Sequence, residues 1–168
     1  MIWLSGYLVI WLSWLSGYLD ISLFHLGCAG RRWHRPCDHA GAMSIQSDQL
    51  KQRTTQFALD VLRLIDAFSR STSGDLLGRQ LAKSATSVAA NYRATCVARS
   101  RAEFIAKLGL VFEEIDESEF WLDLSIRKCL GEKQTADGLH KEAIELRAIF
   151  GRSLSTARKN SRQSSNHQ

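Results

Sequence analysis

Proline is nearly missing from this chain. The one proline, Pro36, lies close to the N-terminus, and residues 43–168 contain none. That absence removes the commonest helix breaker from more than a hundred consecutive residues. Period-two alternation of apolar and polar residues is also missing after Met43, so no strand competes with a helical reading. Cysteine is scarce: Cys96 and Cys129 sit far apart on predicted helices, and Cys28 and Cys37 lie in an atypical N-terminal stretch. Such usage excludes a disulfide scaffold and points to free thiols in a reducing, cytoplasmic compartment. Histidine is thin too. His140 stands alone in the predicted helical region, with no serine or cysteine placed for a triad. Cys28, His34, Cys37 and His39 lack the C-x₂-C or H-x₃-H pairs of a zinc finger. The sequence therefore offers no catalytic residue, no metal ligand set and no cofactor motif. The expectation is a protein that is not an enzyme and takes no small-molecule substrate.

What is present is ordinary in bulk and uneven in distribution. The 168 residues are 45% apolar and 23% charged, with a formal net charge of +5. One domain is the prior for that length. A mild basic excess permits contact with nucleic acid or an acidic partner without requiring either. Residues 1–42 differ from the rest. WLSGYL occurs at Trp3–Leu8 and again at Trp14–Leu19, and four of the five tryptophans fall in this segment. Three readings compete: a membrane span, since Met1–Leu19 is mostly apolar; a signal peptide, which lacks a basic start; or a start at Met43 with upstream sequence read in frame. The repeat and the irregular Arg-, His- and Cys-rich stretch favour the third, and no membrane partner is expected.

After Met43 the apolar residues recur at helical steps. Leu50, Phe57, Val61, Leu64, Ile65 and Phe68 predict a first helix over Gln46–Ser71. SRSTSG breaks it, with Gly74 as a turn residue and Asp75 as the N-cap of the second helix, about Leu76–Val97. That helix carries Leu77, Leu81, Ala85, Val88 and Tyr92 on one face and small residues beside them, which permit close helix approach. Ser100-Arg101-Ala102-Glu103 is a capping box opening a third helix. Its stripe runs through Phe104, Leu108, Val111, Phe112, Ile115 and Leu122, and Gly131 ends it. A fourth helix covers about Gln134–Arg158, with Leu139, Ala143, Leu146, Ile149, Phe150 and Leu154 as its stripe, followed by a polar, basic tail at 160–168 expected to be disordered. Short loops between long helices predict an all-α, antiparallel, up-down-up-down four-helix bundle over residues 43–159.

RQLAKSATSVAANYRAT followed by RSRAEFIAKLGLVFEEIDESEFWLDL resembles the bacterial proteins known as 23S rRNA intervening-sequence proteins. The resemblance covers about Leu50–Arg158 and rests on Ser87-Val88, Asn91-Tyr92-Arg93, Arg99-Ser100-Arg101, Glu103-Phe104, Lys107-Leu108, and Glu114 and Glu117 ahead of Trp121-Leu122. It implies an antiparallel bundle that assembles into a ring-shaped homopentamer. A related accessory protein of diversity-generating retroelements shares the architecture and is associated with nucleic acid and a reverse transcriptase. Ala94 departs from the pattern, since many relatives carry an acidic residue there. The family name records genes inside an rRNA insertion; it does not establish rRNA binding.

Two constellations follow. Arg79, Lys83, Arg93, Arg99, Arg101 and Lys107 form a candidate phosphate-binding surface, set against the plainer reading of a solvated face with ion pairs to Glu103, Glu113, Glu114 and Glu117. No aromatic-rich, base-stacking surface accompanies these charges in the sequence, which argues against sequence-specific RNA reading. Asn91, Tyr92, Glu117 and Trp121 are the candidate subunit-interface residues. The predicted function is a non-enzymatic, self-assembling bundle associated with RNA or a nucleic-acid enzyme; the alternative is an adaptor for a protein partner without nucleic acid.

Overall fold

The computed structural model describes residues 40–165, and the side chains of residues 46–163. The expectations placed on residues 1–39, including the repeat and the Cys28, His34, Cys37 and His39 group, lie outside them. Four helices make up the described chain: α1 (Ala40–Asp66), α2 (Thr72–Cys96), α3 (Arg101–Arg127) and α4 (Lys133–Ser165). None of them is long and apolar enough to cross a membrane.

The stripes read from the sequence form the core. Phe57, Val61 and Leu64 of α1 meet Leu81, Ala85 and Val88 of α2, Leu108, Val111, Ile115 and Leu122 of α3, and Leu146 and Phe150 of α4. Each large side chain fully buried in this way contributes roughly 1.5–3 kcal/mol of transfer free energy. Phe150 packs on Tyr92 with ring centroids 5.4 Å apart. Small polar residues occupy the helix seams. Ser84, Ser118 and Ser125 are fully buried, and each hydroxyl donates to a carbonyl of its own helix, at Leu81, Glu114 and Trp121. Their size lets α2 and α3 approach closely, and the local bonds leave no hydroxyl unsatisfied.

Ion pairs fix the helix directions. Arg147 of α4 reaches Asp116 and Glu119 of α3 at 3.0 and 2.7 Å. Arg101, at the start of α3, donates to the Asn160 carbonyl near the end of α4 at 3.2 Å. Only an antiparallel pair satisfies both. Across the α1–α4 seam, Arg53 grips Glu142 with two nitrogens at 2.6 and 2.8 Å and reaches Glu145 at 2.6 Å.

Several boundaries differ from the sequence reading. α1 starts at Ala40, ahead of Met43, and stops at Asp66. α2 starts four residues before Asp75's expected capping position would allow, because Ser71 is the N-cap: its hydroxyl accepts from the Gly74 amide at 3.1 Å. Asp75 sits inside the first turn, where a carboxylate still complements the helix dipole. Gly74 is a packed helical residue, not a turn. α3 ends before Gly131. Cys129 takes the left-handed conformation at φ 57°; the Leu130 amide donates to Ser125 and the Cys129 amide to Ile126. This is a Schellman stop with cysteine where glycine is usual. The tail expected to be disordered from residue 160 continues α4 as far as Ser165. Extending an existing helix adds a hydrogen bond per residue fixed, so the polar tail follows the apolar helix before it.

Candidate nucleic-acid interface

The capping box builds the turn between α2 and α3. Ser100 accepts from the Glu103 amide at 3.1 Å, and Glu103 reaches back to accept from the Arg99 amide at 2.8 Å. The same carboxylate lies 3.5 Å from both the Arg99 and the Lys107 side chains. The Arg99 amide, aided by the charges of Arg99 and Lys107, holds Glu103 below the usual carboxylate range. One anion thus orders a turn whose other charges are positive.

The helical tail completes the surface. The bond from Arg101 to Asn160 brings the last turns of α4 beside the α2–α3 turn. Arg158, Lys159 and Arg162, all exposed, therefore join Arg93, Arg99, Arg101 and Lys107 at one end of the bundle. Of these three only Arg162 falls in the tail expected to be disordered; Arg158 and Lys159 fall within the expected bundle, but nothing in the string sets them beside the α2–α3 turn. The signal for a longer α4 was there, since no proline and no glycine follows Gly151.

Two of the six residues proposed from sequence fall elsewhere. Lys83 lies midway along α2 and acts on Glu114 of α3. Burial first, then repulsion from Glu117 and Glu113, raises Glu114 to about 7, and Lys83 opposes that shift. Arg79 sits at the opposite end, in a shallow depression with Asp66, Arg70 and Asp75. The basic surface is thus an end of the bundle, not a face of α2.

The candidate interface residues also separate. Tyr92 belongs to the chain's own core, 9% exposed against Phe150. Burial raises its phenol above the ordinary range, and a hydrogen bond to Cys96 adds to the shift. Asn91 and Trp121 are half-buried and Glu117 is exposed, all on the outer side of the α2–α3 seam. Phe120 packs edge-on against Trp121, with ring centroids 4.8 Å apart. Phe120, Leu76 and Leu110 are exposed there. The Trp121 indole nitrogen and one Glu114 carboxylate oxygen are buried without a hydrogen-bond partner among the described residues.

The chain matches the family model of the 23S rRNA-intervening sequence protein over residues 46–152. It is similar to a crystal structure from Bacteroides thetaiotaomicron, that of a protein with unknown function from the S23 ribosomal protein family. That likeness has 27% identity and a TM-score of 0.57, and covers 62% of this chain and 96% of the other. No curated protein matches. The bundle, its capped α2–α3 turn and the matched span together place this chain in the 23S rRNA-intervening sequence protein family.

Proposed function

We propose that this chain is a non-enzymatic, self-assembling bundle that holds the phosphate backbone of RNA at its basic end. The observation that carries the reading is the convergence of Arg93, Arg99, Arg101 and Lys107 with Arg158, Lys159 and Arg162, with Glu103 as the carboxylate built into the same turn. Arginine and lysine contacts to phosphates release counterions, so such a surface binds with a strong salt dependence and little regard for sequence.

Self-assembly multiplies that surface. The outer α2–α3 face offers Leu76, Leu110 and Phe120, with the half-buried Trp121 packed edge-on against Phe120. Aromatic anchors in partly desolvated positions are what subunit contacts use most. A ring such as the homopentamer implied by the family resemblance would bring several basic ends within reach of one strand. The same apolar face favours the second reading, an adaptor that docks a protein partner without nucleic acid.

The test uses the full chain and a labelled RNA of arbitrary sequence, titrated at several salt concentrations. Wild-type affinity should fall steeply with salt. Reversing charge at Arg99 and Arg101 together should weaken binding at least about tenfold and flatten the salt slope, since roughly one phosphate contact is lost per cation. Helicity and mass in solution should not change. An intact oligomer that binds no RNA at low salt would overturn the reading in favour of the adaptor.

A further inference from the structure

Phe104 is out of place for a core residue. Its spacing to Leu108, Val111 and Ile115 puts it on the buried stripe of α3, yet those three are at most 1% exposed and Phe104 is 36% exposed. The reason is its position along the bundle. The last buried side chain of α4 is Leu154, and beyond it that helix offers only the small, half-buried Ala157 among polar residues such as Ser155, Arg158 and Lys159. Phe104 therefore lies past the final apolar layer, on the basic end. Arg101 precedes it by one helical turn and Lys107 follows it by one, so both cations neighbour the ring on the surface of α3. An aromatic ring between two cations is a poor core but a suitable seat for a nucleobase, with phosphates on either side taken by the charges.

We propose that Phe104, framed by Arg101 and Lys107, stacks on one unpaired base, so that the polyanion bound at this end is single-stranded. This rests on the nucleic-acid reading above and names its substrate class. In a duplex each base face is covered by its neighbours and an exposed side-chain ring has nothing to stack on; an unpaired strand presents its faces. Stacking tolerates any base, which agrees with a surface that otherwise meets only phosphate. Arg101 also donates to the Asn160 carbonyl, and Arg158 and Arg162, one turn apart on α4, extend the cationic track away from the ring.

The experiment measures the affinity of the full chain for a labelled oligouridine and for a duplex RNA of equal length, at matched salt. The oligouridine should bind about tenfold tighter. Phe104→Leu keeps apolar bulk and removes the ring. It should weaken oligouridine binding by about tenfold, the effect of one lost stack, without moving duplex affinity or the salt slope. Phe104→Tyr should bind as the wild type. Circular dichroism and solution mass report that each variant is folded and assembled. Equal affinity for both RNAs, or a Phe104→Leu variant that binds oligouridine normally, would overturn the stacking platform and leave the phosphate surface standing. Failure to bind either RNA would remove both.

Discussion

At the end where α1 turns into α2 and α3 into α4, glycines let backbone and side chains touch. A Cβ on Gly74 would lie 2.4 Å from the Ser69 carbonyl oxygen, and one on Gly78 3.0 Å from Ile65. Gly131, at φ +71°, leaves room for Leu64 and Phe68, and Leu130 is tucked in at 5% exposure. At the other end, the α2–α3 turn leaves Val97 74% exposed and Phe104 36% exposed, under a set of arginines and lysines. The closed end spends its residues on packing. The open end keeps cations and an aromatic ring in solvent, which gives the fold little and gives a ligand something to hold. The difference puts the close packing at one end and the proposed recognition at the other.

The largest expected effect comes from breaking the closed end. Gly74→Ala forces a methyl against a backbone carbonyl that cannot rotate away, and crowds the Ser71 hydroxyl at 3.1 Å, the cap of α2. Overpacking of this kind costs about 1–3 kcal/mol. Urea denaturation of the variant should show that loss with an unchanged slope, and RNA affinity of the folded fraction should stay at the wild-type value. A drop in affinity without a drop in stability would mean that the two ends are not separate in function.

Midway between the ends, Glu114 tests whether the seam is dry. Its carboxyl is raised from 4.5 to about 7 by burial and by Glu117, against the pull of Lys83. A folded value above the unfolded one means that folding prefers the neutral acid. This group's contribution is therefore full below about pH 4.5 and lost as pH rises to about 7, with no further change above. Glu114→Gln should be more stable than the wild type at pH 8 by about 1 kcal/mol, a figure discounted for the solvent around the half-exposed side chain. The gain should vanish below about pH 4.5. Chemical denaturation at several pH values checks it, and a gain that persists at low pH would assign the effect to something other than ionisation.

The core was readable because each helix sets an apolar stripe against a charged face. Val61, Leu81, Val88, Leu108, Val111, Ile115 and Phe150 were placed by periodicity alone and all are buried. The Ser100–Glu103 box was readable because its bonds span four residues. What escaped depends on distant parts of the chain. SRSTSG holds several equally good caps, and Ser71 is chosen by where α2 packs on α1, which the string does not encode. Cys129 gives no left-handed signal; Leu130, tucked into the closed end, completes the stop. Phe104 and Leu108 look alike in a periodicity count and differ in whether α4 still offers a large apolar partner at that height. The same omission hid the basic end: Arg158 and Lys159 matter only once Arg101 is known to reach Asn160, and Arg162 only once α4 is known to stay helical past residue 160.

The smallest effect sharpens the comparison by giving one substitution two signs. Gly109 lies in α3, two turns into the helix from the open end, and a Cβ built there meets nothing within 4 Å. Glycine inside a helix is less favourable than alanine by about 0.8–1.0 kcal/mol, because its unfolded chain has more freedom to lose. Gly109→Ala should therefore raise stability by about 0.5–1 kcal/mol, where Gly74→Ala lowers it. Thermal melts of the two variants beside the wild type read both signs in one experiment. RNA affinity should be unaffected by Gly109→Ala, because the added methyl stands on the outer side of α3 away from Phe104 and creates no charge. A loss of stability at Gly109 would show that the outer side of α3 is covered, and the natural cover would be a second copy of the chain. The melting temperature of the wild type would then rise with protein concentration, as it must when association stabilises the fold.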